Sequence, residues 1–204
     1  MKRTRRSGFS LVEVLIALTI LGLLTINIAM VSRTGSQAAE SDLFRQLLDT
    51  EMDLTLDRIK LALMSASADN VYPQVPAPAS ESHIDFSTSL GVQGGVHVMG
   101  DPERIQWTPA TAEKGGVFWT QSLGLPDERQ IQWSRNVPIL QNLETANERD
   151  DNDNGLVDEP GLSFHVEHAE DRELQVFVNL TVSKTDSRGQ VVPRSRQVNI
   201  TCRN

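Results

Sequence analysis

Two apolar patterns of different period divide the chain. From Val14 to Val31 no ionisable side chain occurs, a run long enough to cross the hydrocarbon layer of a bilayer as a helix. Further on, "SDLFRQLLDTEMDLTLDRIKLALMSAS" has apolar residues at 44, 48, 52, 56, 59 and 63. Steps of three and four put these on one helical stripe able to dock on a sheet. Asp42, Asp49, Asp53, Asp57, Arg45, Arg58 and Lys60 occupy much of the other surface, the pattern of a solvated face. Gly35 lies between the two segments, and a glycine inside a helix costs about 1 kcal/mol relative to alanine. One long helix with a weak or bent point at Gly35 is therefore expected, ending before the prolines of "NVYPQVPAPAS", which cannot continue it.

The period then changes to two. Short runs rich in Val, Ile, Phe and Trp follow in "HIDFSTSL", "GVHVMG", "RIQWTPA", "GVFWTQSL" and "RQIQWSRNVPIL", separated by Gly, Pro and Asp, and read as strands. The clearest alternation is "ELQVFVNLTVSK", where Leu174, Val176, Val178, Leu180 and Val182 share one face. Pairing with "RQVNITCR" across "TDSRGQ" makes a C-terminal hairpin. One N-terminal helix followed by antiparallel strands is an α+β layer arrangement.

Charge and chemistry narrow the function classes. The net charge is -8, but the first eight residues hold basic groups only; beyond Gly8 there are 15 basic against 27 acidic residues, a balance of -12. So acidic a body excludes nucleic acid as partner, since phosphate contacts need a clustered basic surface. Cys202 is the single cysteine and reads as a small apolar strand residue. No G-x-S-x-G, H-E-x-x-H, P-loop or C-x-x-C pattern occurs, so no catalytic motif is present and the chain does not read as an enzyme. His165 and His168, three apart on a strand, point to opposite faces and make a poor joint metal site. Trp107, Trp119 and Trp133 each fall in a strand-like run and read as sheet or core residues.

The stretch "ERDDNDNGLVDEPG" is the most suggestive chemically. Oxygen-bearing side chains at alternate positions around a glycine can turn inward on one hard cation such as calcium. Aligning Gly155 with the glycine of an EF-hand-like loop gives Asp150, Asn152 and Asn154 as side-chain ligands, Leu156 through its carbonyl, and Asp158. Gly161 falls where such a loop supplies a bidentate Glu, leaving Glu159 or a water for that role; Asp151 and Asp153 offer another register. A solvated acidic turn built on Asn154-Gly155 is the competing reading.

At the N-terminus, Lys2, Arg3, Arg5 and Arg6 precede the apolar run, and the orientation rule leaves this end in the cytoplasm. The small residues of "TINIAMVSRTGSQAAES" leave a cleaved secretory signal open on composition alone. Glu13 is harder to accommodate, because a carboxylate in a membrane helix persists when a partner or function compensates its cost. The arrangement Gly8-Phe9-Ser10-Leu11-Val12-Glu13 resembles the class III signal of prepilins and pseudopilins. This resemblance implies cleavage after Gly8 by a prepilin peptidase, methylation of the new amino group on Phe9, and Glu13 as the fifth mature residue. The Phe9 amino group would be neutralised by Glu13 of a neighbouring subunit during assembly. Met30 stands at the twenty-second mature position, where many major pilins have proline.

The rest of the chain is similar to J-type minor pseudopilins and W-type minor pilins in its length, its "RIQW" and "RQIQWSRN" runs, its acidic loop, its "GLSFHVE" run and a final hairpin closing on "RN". The resemblance implies a pilin-like α+β fold, with a long helix, half membrane-embedded and half amphipathic, on an antiparallel sheet. Residues 1–8 would be the leader, 9–35 the membrane and filament-core helix, 36–70 its amphipathic half, and 71–204 a periplasmic head. It further implies a single-pass protein of the bacterial inner membrane, partnered by the peptidase and by other major and minor pseudopilins or pilins.

Overall fold

The computed structural model describes residues 10–74, 81–151, 157–168, 173–186 and 189–202. The chain divides into two compact units, Met1–Phe44 and Arg45–Asn204. Helix α1, Leu11–Met64, supplies most of the first and the opening element of the second. It passes through Gly35 without a break in helical structure.

Within the first unit, every large apolar side chain from Leu11 to Val31 is exposed. An 18-residue window of α1 reaches a mean hydropathy of 2.5 with none of it buried, long and apolar enough to cross a membrane. The polar side chains in this stretch turn inward on their own helix. Thr19 and Thr25 donate to the carbonyls of Leu15 and Leu21 at 2.7 and 2.8 Å, and the Asn27 amide donates to Leu23 at 2.9 Å.

In the second unit, α1 buries Leu48, Met52, Leu56, Ile59 and Leu63, as the spacing predicts. Thr55 joins them, its hydroxyl satisfied by the Glu51 carbonyl at 2.7 Å. The helix stops at Met64, short of the expected residue 70, because the chain turns into the sheet. Ala66 bridges to Thr88, and the Ser67 amide donates to Ser87. A 3-10 turn at Ala68–Asn70 follows.

Among the described residues, seven strands form two antiparallel meanders rather than a single sheet. The first comprises β1 (His83–Gln93), β2 (Val96–Pro109), β3 (Lys114–Gln121) and β4 (Arg129–Pro138) in that order. The second comprises β5 (Leu162–His168), β6 (Leu174–Thr185) and β7 (Val191–Thr201). An isolated bridge between Glu81 and Phe164 links them. The runs "GVHVMG" and "RIQWTPA" lie in one long strand, β2, because Asp101 and Pro102 are accommodated at an irregularity in its pairing with β1. The C-terminal hairpin has the predicted inward face, with Leu174, Val176, Val178, Leu180 and Val182 all buried.

Glycine is required where β3 approaches its neighbours. A Cβ on Gly115 would lie 2.2 Å from the Thr108 carbonyl oxygen and 2.6 Å from the Trp107 ring.

Two substitutions in α1 separate burial from helix propensity. Ile59→Ala, at a fully buried position, is expected to cost about 2–5 kcal/mol. Leu61→Ala, at a position 71% exposed, should change stability by under about 0.5 kcal/mol. Urea unfolding of both variants checks this.

Candidate functional site

Three places in the described structure carry chemistry: the start of α1, the helix-to-sheet contacts of the second unit, and the acidic loop. Gly8 and Phe9, the expected cleavage and methylation positions, lie outside the described residues. Glu13 occupies the first turn of α1, where a carboxylate is favoured by the positive end of the helix dipole. It borders an open apolar surface with Val14, Ala17, Leu18 and Leu21, and among the described residues it forms no ion pair.

The acidic helix face is not simply solvated. Asp49 pairs with Arg194 of β7 at 3.2 Å, and Asp53 pairs with Arg196 one step further along the strand. Glu51 turns the other way, toward β4. Its two oxygens accept from the Ser134 hydroxyl at 2.7 Å, the Arg135 amide at 3.3 Å and the Asn136 side chain at 2.8 Å. One turn of helix is thus tied to both sheets by three carboxylates. Sequence reasoning missed these roles because the partners lie 83 to 85 residues away for Glu51 and 143 for Asp53.

Of the residues expected to hold calcium, Asn152, Asn154 and Leu156 lie outside the described residues, as does Asp153. Asp150 and Asp158 are described, on either side of that gap. Asp158 accepts from the backbone amides of Asn147 at 3.1 Å and Glu148 at 2.9 Å, and its own amide donates to Glu144 at 3.2 Å. Asp151 accepts from the Thr145 amide and hydroxyl and from the Asn147 side chain. The Thr145 and Asn147 hydrogen bonds hold the Asp151 carboxyl below its usual range. Gly161 is structural: its amide donates to Ile139, and a Cβ there would lie 2.3 Å from the Pro138 carbonyl. No glutamate fits at that position. Neighbouring Glu159 is buried. Among the described residues, no group of three or more His, Cys, Asp or Glu side chains is gathered as a metal site.

Trp107, Trp119 and Trp133 make contacts within the sheet, and Cys202 is buried. Trp119 and Trp133 stack at 5.4 Å between centroids, Trp119 donates to Glu103 at 2.7 Å, and Trp107 donates to the Val137 carbonyl. His165 and His168 lie on β5, with His165 against the Phe177 ring. Cys202 is buried just beyond β7, where loss of solvation pushes its thiol up to about 11.

With this geometry in place, the comparisons with known proteins bear on one segment. Residues 3–26 match the family described as "Prokaryotic N-terminal methylation motif". No curated protein and no solved structure gives a match. The chain therefore carries an N-terminal methylation motif of the kind found in type IV pilins and pseudopilins, on a long helix packed against antiparallel sheet, the pilin-like α+β architecture. Motif and architecture are those of a structural subunit.

Two measurements follow. Glu51→Ala should lower stability by about 2–4 kcal/mol, since several hydrogen bonds to a charged acceptor are lost; denaturant titration reads it. The Cys202 thiol, with its ordinary value of 9.0 raised to about 11, stays protonated in the fold at pH 8. Alkylation should be slow in native protein and fast once urea unfolds it. Since the unfolded thiol ionises first, this group's contribution to stability declines as pH rises from 9.0 toward about 11.

Proposed function

We propose that the chain is a minor pseudopilin of a type II secretion system, of the J type, built into a short periplasmic pseudopilus that serves protein secretion. The single observation that carries this reading is the methylation motif over residues 3–26 set directly on an exposed apolar helix containing Glu13. In this reading residues 1–8 are removed by a prepilin peptidase, Phe9 is methylated, and α1 holds the protein in the inner membrane until assembly. The N-terminus is cytoplasmic and the head, residues 71–204, is periplasmic. Other major and minor pseudopilins are the partners, and the chain is a substrate of the peptidase, not a catalyst. Glu13 neutralises the amino group of a neighbour's Phe9, since two opposite charges brought together in low dielectric are favoured over two isolated ones.

The minor pilin of a type IV pilus is the nearest alternative within the class. A stand-alone membrane-anchored binding module is the alternative outside it, and would not depend on the peptidase. Intact mass of the protein from its own host membrane, with and without the peptidase, tests the reading. The expected product starts at N-methylated Phe9 and disappears without the peptidase; a start at Met1, or a cut beyond Val31, overturns it. Glu13→Ala should leave processing intact and strongly reduce incorporation into filaments, read by shear fractionation.

We further propose that the loop from Asp150 to Asp158 binds calcium, with Asp150, Asn152, Asn154, the Leu156 carbonyl and Asp158 as ligands. The alternation of oxygen donors around Gly155 supports this. A ligand bound only by the folded state raises its melting temperature. Millimolar calcium should therefore stabilise the protein, and Asp150→Ala should abolish the increment; an unchanged melting temperature removes the proposal.

A further inference from the structure

β7 ends the second sheet, and one of its two edges pairs with β6. At one end of that pairing the Cys202 amide donates to Leu174, and at the other the Asp186 amide donates to Gln190. These fix the phase of the ladder, so that the even-numbered residues of β7 exchange backbone hydrogen bonds with β6. The amides and carbonyls of Ser195, Gln197, Asn199 and Thr201 point the other way, and no backbone bond reaches them among the described residues. Pro193, also on this side, has no amide to offer and closes the strand's first part to pairing. What stays open is a stretch of seven residues, about 23 Å long.

Cavities flank this stretch on both faces. On the α1 side, a groove of about 470 Å³ is lined by Asp53, Asp57, Lys60, Arg196 and Val198. On the opposite side, one of about 290 Å³ is lined by Gln141, Asn142, Asn179, Ser195 and Gln197. A strand laid along an edge sends alternate side chains to opposite faces, so an edge with a pocket on each face can read an added strand.

The α1-side groove also specifies a charge. Asp49 meets Arg194 and Asp53 meets Arg196. Four residues on a helix and two on a strand both advance about 6 Å, so the two elements run in the same direction and the next rung sets Asp57 against Val198. The strand has no arginine there, and Asp57 forms no ion pair among the described residues. Lys60 lines the same groove, so its charge partly offsets that of Asp57 and the groove takes no more than one added cation.

We propose that the open edge of β7, from Ser195 to Thr201, is a strand-addition site for an extended segment of another polypeptide. That segment carries one Lys or Arg on its α1-facing side, seated at Asp57. On its other side it carries an amide or hydroxyl residue, seated among Gln141, Asn142 and Asn179. The site does not depend on how the N-terminal segment is processed. β7 of a second copy has a similar alternation, Arg196 beside Gln197, so the test must separate self-pairing from addition of a foreign strand.

The test uses the full chain in detergent micelles. Peptides are selected on it from a displayed library of random 12-residue sequences, and the best binder is synthesised and added at saturation. Residue-resolved hydrogen exchange should then slow at least tenfold at Ser195, Gln197, Asn199 and Thr201, with no change at the even-numbered amides. Asp57→Asn, an exposed helix substitution, should weaken binding at least tenfold. Gln197→Pro, which removes an outward donor and no bond to β6, should abolish it. The proposal is overturned if selected peptides bind without protecting those four amides, or if none loses affinity in Asp57→Asn. It is equally overturned if the four amides become protected through a concentration-dependent homodimer in the absence of peptide.

Discussion

The second unit depends on one helical stripe being shared by two sheets. Leu48, Met52, Leu56, Ile59 and Leu63 are buried, and the polar residues beside them reach β4 on one side and β7 on the other. Burial of such a stripe contributes about 1.5–3 kcal/mol per large side chain, far more than the half-exposed ion pairs do. The carboxylates of Asp49, Glu51 and Asp53 therefore act mainly in direction: they fix the rotation of the helix and its position along the strands. Glu51 differs from its neighbours in meeting a cluster of donors rather than an arginine, and it ties α1 to the end of β4.

Two sheets in place of one also follow from local chemistry. Gly115 and Gly116 admit close approach of β2 and β4 to β3, and the register shifts beside them. Beyond Pro138, Gly161 lies so close to the Pro138 carbonyl that no side chain fits between them. The chain thus passes from the first sheet into the second through a close backbone contact. The loop between carries Asp151 and Asp158, both engaged with nearby backbone and side-chain donors. Residues that read as candidate ligands in the sequence are in this respect also loop-shaping acceptors.

Periodicity made the larger elements legible. The apolar steps of α1 and the alternation of β6 are strong local signals, and both lead to the faces that are buried. The end of α1 was less visible, because Ser65, Ala66 and Ser67 leave the helix to pair with β1 and not in response to a proline. The long β2 was hidden by Asp101 and Pro102, which resemble punctuation until β1 accommodates them. For the site, the methylation motif over residues 3–26 was legible as a short local pattern, whereas the pairing of Asp49 and Asp53 with β7 was not. An aspartate on a solvated face and one that meets an arginine far along the chain look the same in sequence.

The apolar part of α1 carries Thr19, Thr25 and Asn27, each of which donates to a carbonyl of the same helix. In hydrocarbon, a polar group without such a partner would seek one on a neighbouring helix and hold it there. The two threonine hydroxyl donors are satisfied within the helix, whereas Asn27 keeps a second N–H and its amide oxygen for such a contact. Of these three side chains, Asn27 alone retains a hydrogen-bond donor for a neighbouring helix, so one amide gives the apolar run its polar point of contact.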